Sequence, residues 1–197
     1  MVFTAERVHE SSANDAPVFY RQLFAYLEVE KYIQGDVLEV GCGDGYGTKR
    51  LLPLAKSYTG VDKFVSETVT KLDNLNFIQM NIPPFTGFAD NSFDVVISFQ
   101  VIEHIQNDAL YMEEIRRVLK PGGKAIILEL SNPTAFPIKQ LFNFYFHKVV
   151  PAMGKVISKD NRAYEYLPES VAKFPDGQRF AAITDKVGFA SCKVRPQ

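Results

Sequence analysis

Apolar positions recur along the chain with two alternating periods. Val18, Phe19, Leu23, Phe24, Tyr26 and Leu27 fall at helical spacing, behind N-cap candidates in Ser11–Asp15 and a Pro17 suited to a first helical turn. From Asp36 the period tightens to two, and strands are expected over 36–40, 57–61, 76–80, 93–99 and 124–130. Helical stretches separate them: 46–52, stopped by Pro53, a short one over 66–72, and 108–119, capped by Asn107 or Asp108 and ended by Lys120-Pro121-Gly122-Gly123. This alternation predicts an α/β doubly wound fold, a mostly parallel sheet with helices on both faces. The runs 93–99 and 125–130 are almost continuously apolar, as suits central strands covered on both sides.

After Ser131 the pattern changes. Residues 137–157 interleave Phe142, Phe144, Tyr145 and Phe146 with Lys139, His147, Lys148 and Lys155, and a final helix is expected over 177–187 between Asp176 and Gly188. Residues 190–195 can start one more strand. The organisation expected is a single domain over 1–197, with a ligand-binding core at 36–130 and a helical lid insertion at 131–175. In that reading the sheet lacks its last strand and leaves an open edge.

Composition narrows the classes of function. Of the 197 residues, 46% are hydrophobic, ample for one core. The 22 Lys+Arg against 23 Asp+Glu give a net charge of -1, which excludes a strongly electrostatic nucleic-acid binder. Cys42 and Cys192 make neither a disulfide framework nor a metal knuckle, and no metal site is expected. No apolar run approaches the roughly 18 residues of a spanning helix. A cytoplasmic protein is expected, at most peripheral to a membrane, and the sequence sets no oligomeric state.

The chemistry concentrates in DVLEVGCGDGYG, residues 36–47, where a strand runs into four glycines. Bare backbone at a strand exit lets a ligand approach the main chain. A dinucleotide turn beginning at Gly41 needs glycine at 46, where this chain has Tyr46, and Gly47-Thr48-Lys49 scrambles the order of a phosphate loop. What remains is Glu-x-Gly-x-Gly-x-Gly from Glu39, which resembles the first motif of class I S-adenosylmethionine-dependent methyltransferases. The later segments Val61-Asp62-Lys63, Gln79-Met80-Asn81-Ile82, FDVVISFQVIEHI and RVLKPGGKAIILEL follow that family's order.

The resemblance implies S-adenosylmethionine as cofactor and a set of contacts. Glu39 would accept the ligand's ammonium, and the turn Gly41-Cys42-Gly43, opening a helix N-terminus, would donate N–H groups to its carboxylate. Asp62, with Lys63 beside it, would take the ribose diol. Asn81 and Ile82 would meet the adenine, Asn81 through its side-chain carbonyl, and Gln100 would line the crevice after the fourth strand. Methyl transfer is an in-line displacement governed by orientation, and transfer to oxygen or carbon must also lose a proton. His104, the one histidine of the core, is the candidate catalytic base.

The last third, with Tyr164-Glu165-Tyr166-Leu167-Pro168-Glu169-Ser170 and a later Phe174-Pro175, resembles the ubiquinone/menaquinone biosynthesis C-methyltransferases, while the first 130 residues resemble small-molecule methyltransferases in general. That implies a prenylated quinol acceptor, with Phe142, Phe146 and Val149 covering its chain and lysines meeting the membrane surface. Two alternatives stand beside it: O-methylation of a polyphenol or quinone precursor, and a catalytically impaired protein that binds S-adenosylmethionine. The first is short of charge for a divalent cation, because Gln100 stands where an acid would be needed.

Overall fold

The computed structural model describes residues 16–45, 47–65, 72–129, 136–145 and 177–194. By contacts the chain divides into two units, one of Met1–Glu129 with Val187–Phe189, the other of Leu130–Lys186 with Ala190–Gln197.

The first unit holds helix α1 (Ala16–Val29), strand β1 (Asp36–Val40), helix α2 (Thr48–Leu51), strands β2 (Ser57–Asp62), β3 (Leu75–Gln79) and β4 (Phe93–Phe99), helix α3 (Asp108–Val118) and strand β5 (Leu119–Leu128). Its five strands are all parallel, in the order β3-β2-β1-β4-β5. Strand order reverses between β1 and β4, so the carboxyl ends of those two strands flank a topological switch point. The doubly wound fold expected from the sequence is the fold observed.

Burial explains why these segments are strands. Val37, Leu38 and Val40 of β1 and Val95, Val96 and Ile97 of β4 are fully buried. Each such side chain contributes about 1.5–3 kcal/mol relative to exposure. Helix α1 buries Ala25, Tyr26 and Val29 on one face and leaves Phe24 and Leu27 exposed. Helix α3 buries Tyr111, Met112, Ile115 and Val118, and its N-cap is Asn107, whose side-chain oxygen accepts from the Leu110 N–H.

At the amino ends of the strands, Lys120 Nζ bridges Asp36 Oδ2 (2.7 Å) and Asp94 Oδ2 (2.8 Å), joining β1, β4 and β5. That lysine holds both carboxyls below their ordinary range, with Ser57 assisting at Asp36 and the Asp36 N–H at Asp94. Arg117 fastens the segment before β4, donating to Phe85 O, Phe88 O and Asp90, while Glu114 accepts from the Phe85 N–H.

Several elements differ from the sequence expectation. The helix expected over 46–52 is only the four residues of α2, continued by a 3₁₀ turn at Leu52–Leu54 that accommodates Pro53 near its start. Strand β5 begins at Leu119 rather than Lys124: Leu119 pairs with Phe93 and Lys124 with Val95, so Pro121-Gly122-Gly123 forms an irregularity inside the strand. Among the described residues it is an edge of the sheet, and Ala125–Leu128 are only half-buried. Among residues 190–194 there is no strand.

The second unit contains helices α4 (Ile138–Phe144) and α5 (Gly177–Lys186). Just past α5, Gly188 at φ +90° closes the chain's turn, as the sequence suggested. Residues 66–71, the Tyr164–Ser170 phrase and most of the expected lid lie outside the described residues.

Candidate functional site

The chain leaves β1 at Val40 and turns on Gly41, Gly43 and Gly45, all in the left-handed region at φ +76°, +53° and +76°. The turn is tied to the next strand, for the N–H groups of Gly41 and Cys42 both donate to Val61 O at 2.8 and 3.1 Å. Asp62, at the tip of β2, accepts from the Gly43 N–H through Oδ2 and from the Phe64 N–H through Oδ1, each at 2.9 Å. A carboxylate at this place can accept from hydroxyl as well as N–H donors.

What fills the space where glycine side chains would be separates the roles of the turn's residues. A Cβ on Gly41 would overlap Val101 Cγ2, one on Gly47 would enter the Tyr26 ring, and one on Gly45 would meet the Phe77 ring at 3.0 Å. These three positions are bare because β4's exit, α1 and β3 pack against them. Gly43 alone of the four faces open space, with nothing within 4 Å among the described residues. Only there does the structure match the expectation that missing side chains make room for a ligand.

Glu39, expected to accept a ligand ammonium directly, is 2% exposed, and its two oxygens accept from Tyr26 Oη and Tyr58 Oη at 2.6 Å each. Its carboxylate works from beneath the turn and binds α1 and β2 to β1. Burial pushes its pKa up to about 7, opposed by the two tyrosine hydrogen bonds and assisted by Asp62. Tyr26 also packs edge-on against Phe99, ring centroids 5.1 Å apart, so α1 is anchored to both the glycine turn and the end of β4. Cys42 is buried, its side chain inside the turn rather than toward solvent.

The remaining predicted residues sit at the same end of the sheet. Lys63 and Asn81 are exposed and Ile82 is half-buried, after β2 and β3 respectively. Gln100 follows β4 with φ +56°, an uncommon conformation for a residue with a side chain, and its N–H donates to Leu128 O at 2.8 Å. His104 ends a 3₁₀ turn at Ile102–His104, is exposed, and places Nε2 3.7 Å from Glu103 Oε1. Helix α2 is too short for the macrodipole that the sequence reading assigned to it, so any anion at this turn meets individual N–H groups. Among the described residues no group of three or more His, Cys, Asp and Glu could hold a metal ion.

Two site residues were not anticipated. Val101 seats itself on Gly41, and Glu129, just past β5, accepts the N–H groups of Val101 and Ile102 through Oε1 at 2.9 and 3.0 Å. Burial above all pushes Glu129 up to about 8. A signal was present: Glu129 is the lone charge in the apolar run Ala125–Leu130.

Together these features gather at the switch point, with the main-chain turn at Gly43 on one side and the Asp62 carboxylate beside it. That donor and acceptor set fits the amino-acid and ribose parts of S-adenosylmethionine. Comparison with known proteins agrees. The sequence profile of the ubiE/COQ5 methyltransferase family matches residues 30–196. A demethylmenaquinone methyltransferase of Porphyromonas gingivalis is 37% identical over 85% of this chain and 73% of that protein. A ubiquinone/menaquinone biosynthesis C-methyltransferase of Geotalea daltonii is 34% identical over 84% of this chain and 75% of its own length. With the demethylmenaquinone methyltransferase of Bacteroides fragilis identity is 42%, over 55% of this chain and 44% of that one. A solved structure from an antibiotic biosynthesis pathway of Anabaena variabilis aligns over 85% of this chain and 60% of its own, at TM-score 0.56 and 16% identity, which shows a shared fold. The family match starts before β1, which corrects the division drawn from sequence: likeness to the quinone enzymes is not confined to the last third. The chain belongs to the ubiE/COQ5 methyltransferase family and is an S-adenosylmethionine-dependent methyltransferase.

Proposed function

We propose that this methyltransferase acts on carbon of a prenylated quinol resembling demethylmenaquinol. The observation that carries the reading is the family match over 30–196, joined to relatives named for menaquinone methylation that align over most of the chain. The cofactor supplies an electrophilic methyl group at its sulfonium centre. In this reading the Gly41–Gly43 turn, Cys42 included, carries the methionine end on backbone groups, Asp62 and Lys63 hold the ribose, Asn81 and Ile82 flank the adenine, and Gln100 faces the transfer zone. Transfer to a ring carbon leaves a proton to be removed, and His104, exposed at the end of the turn after β4, is the proton acceptor.

We take residues 36–130 as the cofactor-binding core and 131–175 as a helical lid of one methyltransferase domain. On α4, exposed Leu141 and Phe144, with Phe136 just before it, support contact with a greasy substrate or a membrane surface. No helix among the described residues is long and apolar enough to cross a membrane.

The test is to incubate the chain with methyl-labelled S-adenosylmethionine and a quinol-containing lipid extract, then analyse the lipids by mass spectrometry. A quinol heavier by one labelled methyl group is expected. Cofactor binding without methylation of any quinol would refute the substrate assignment.

A further inference from the structure

Glu129 stands outside the contacts assigned above, yet its geometry reaches them. Its Oε1 accepts two consecutive backbone N–H groups, from Val101 and Ile102, at the first bend after β4. Those residues lie between Gln100, held at φ +56°, and the 3₁₀ turn that ends in His104. Val101 is also the residue whose side chain occupies the space above Gly41. One carboxyl oxygen thus fixes the backbone of the exit turn of β4 and, through Val101, its packing on the glycine turn. Its other oxygen, Oε2, is buried and has no hydrogen-bond partner among the described residues.

We propose that Glu129 is a positioning residue for methyl transfer: by holding the Val101 and Ile102 N–H groups it sets the turn that carries Gln100 and His104 against the cofactor crevice. This rests on the function proposed above. Removing the acceptor strands two N–H groups, a large penalty for a short bend that already contains a left-handed non-glycine residue. The groups that face Glu129 are acids, Glu103 from the 3₁₀ turn and Asp108 from α3, together with the Tyr111 hydroxyl of α3, which bonds Ser98. With burial, they keep Glu129 protonated through neutral pH, up to about 8. The neutral form still offers Oε1 as acceptor, so glutamine reproduces the contact without the titration.

The experiment compares the wild-type chain with Glu129→Gln and Glu129→Leu. It reads kcat and KM for the quinol from about pH 6 to about pH 10, cofactor Kd by calorimetry, and amide hydrogen exchange at Val101 and Ile102. Glu129→Gln is expected to keep kcat within about threefold and to protect both amides across that pH range, since glutamine and either protonation state of Glu129 offer an oxygen to the Val101 and Ile102 N–H groups. Glu129→Leu is expected to lose roughly tenfold to a hundredfold in kcat, to keep cofactor Kd within about twofold, and to expose both amides to exchange. A folded Glu129→Leu with unchanged amide protection or unchanged kcat would overturn the proposal. Should Glu129→Leu fail to fold, a Glu129→Gln chain in which both amides lose protection while kcat is unchanged overturns it. A wild-type chain that methylates no quinol refutes the functional reading instead, while amide protection still reports on the turn.

Discussion

The glycine turn gives a sharp contrast between packing and binding. At Gly41 an alanine suffers twice: φ +76° costs a side-chain-bearing residue about 1–2 kcal/mol, and its Cβ would drive Val101 off its seat, an overpacking cost of about 1–3 kcal/mol. The sum is about 2–5 kcal/mol, which lowers Tm by about 4–20 °C in a domain of this size. At Gly43 an alanine meets nothing within 4 Å among the described residues, which leaves the backbone cost of about 1–2 kcal/mol. Its methyl group, however, projects into the space assigned to the cofactor. Crowding there of about 1–3 kcal/mol weakens binding roughly fivefold to a hundredfold. Thermal unfolding and titration calorimetry with S-adenosylmethionine on Gly41→Ala and Gly43→Ala measure both quantities. Gly41→Ala is expected to show the larger loss of stability and Gly43→Ala the larger loss of affinity per kcal/mol of stability lost. Wild-type cofactor affinity in Gly43→Ala, or equal destabilisation by the two substitutions, would refute the assignment.

Further outcomes follow from the same geometry. Asp62→Ala removes the acceptor for the Gly43 N–H as well as the proposed ribose contact, and cofactor affinity should fall by about 1.5–3 kcal/mol in calorimetry; unchanged affinity would remove Asp62 from the site. His104→Ala should depress kcat with little change in cofactor Kd, and equal rates would leave His104 without a role in proton removal. Lys120→Met frees Asp36 and Asp94, whose pKa values are lowered in the folded chain, so their contribution is present above the unfolded carboxyl range and lost as pH falls through the folded values. The wild-type advantage in Tm over this variant should therefore be full at neutral pH and shrink below about pH 4.

Much of this architecture was written in local pattern. Strands β1 and β4 have the bounds expected, Asp36–Val40 and Phe93–Phe99, because a glycine turn ends one and an apolar run defines the other. Asn107 caps α3 as its side chain suggested. Less legible was anything set by residues distant in sequence. That Gly41, Gly45 and Gly47 are bare for Val101, Phe77 and Tyr26 depends on segments brought together only by the fold. That Tyr26 and Tyr58 each donate to Glu39 is likewise set by segments distant from it in sequence. Pro53 reads as a stop, yet the chain continues into a 3₁₀ turn that tolerates it. Strand β5 reads as central by its apolar run and lies at an edge of the described sheet.

The most direct measurement is a crystal structure of the full chain grown with S-adenosylhomocysteine, the demethylated cofactor. The account predicts its amino-acid end against the main chain at Gly43 and its ribose hydroxyls on the Asp62 carboxylate, between the ends of β1, β2 and β4. Density for the molecule elsewhere on the chain, or none at saturating concentration, would contradict it.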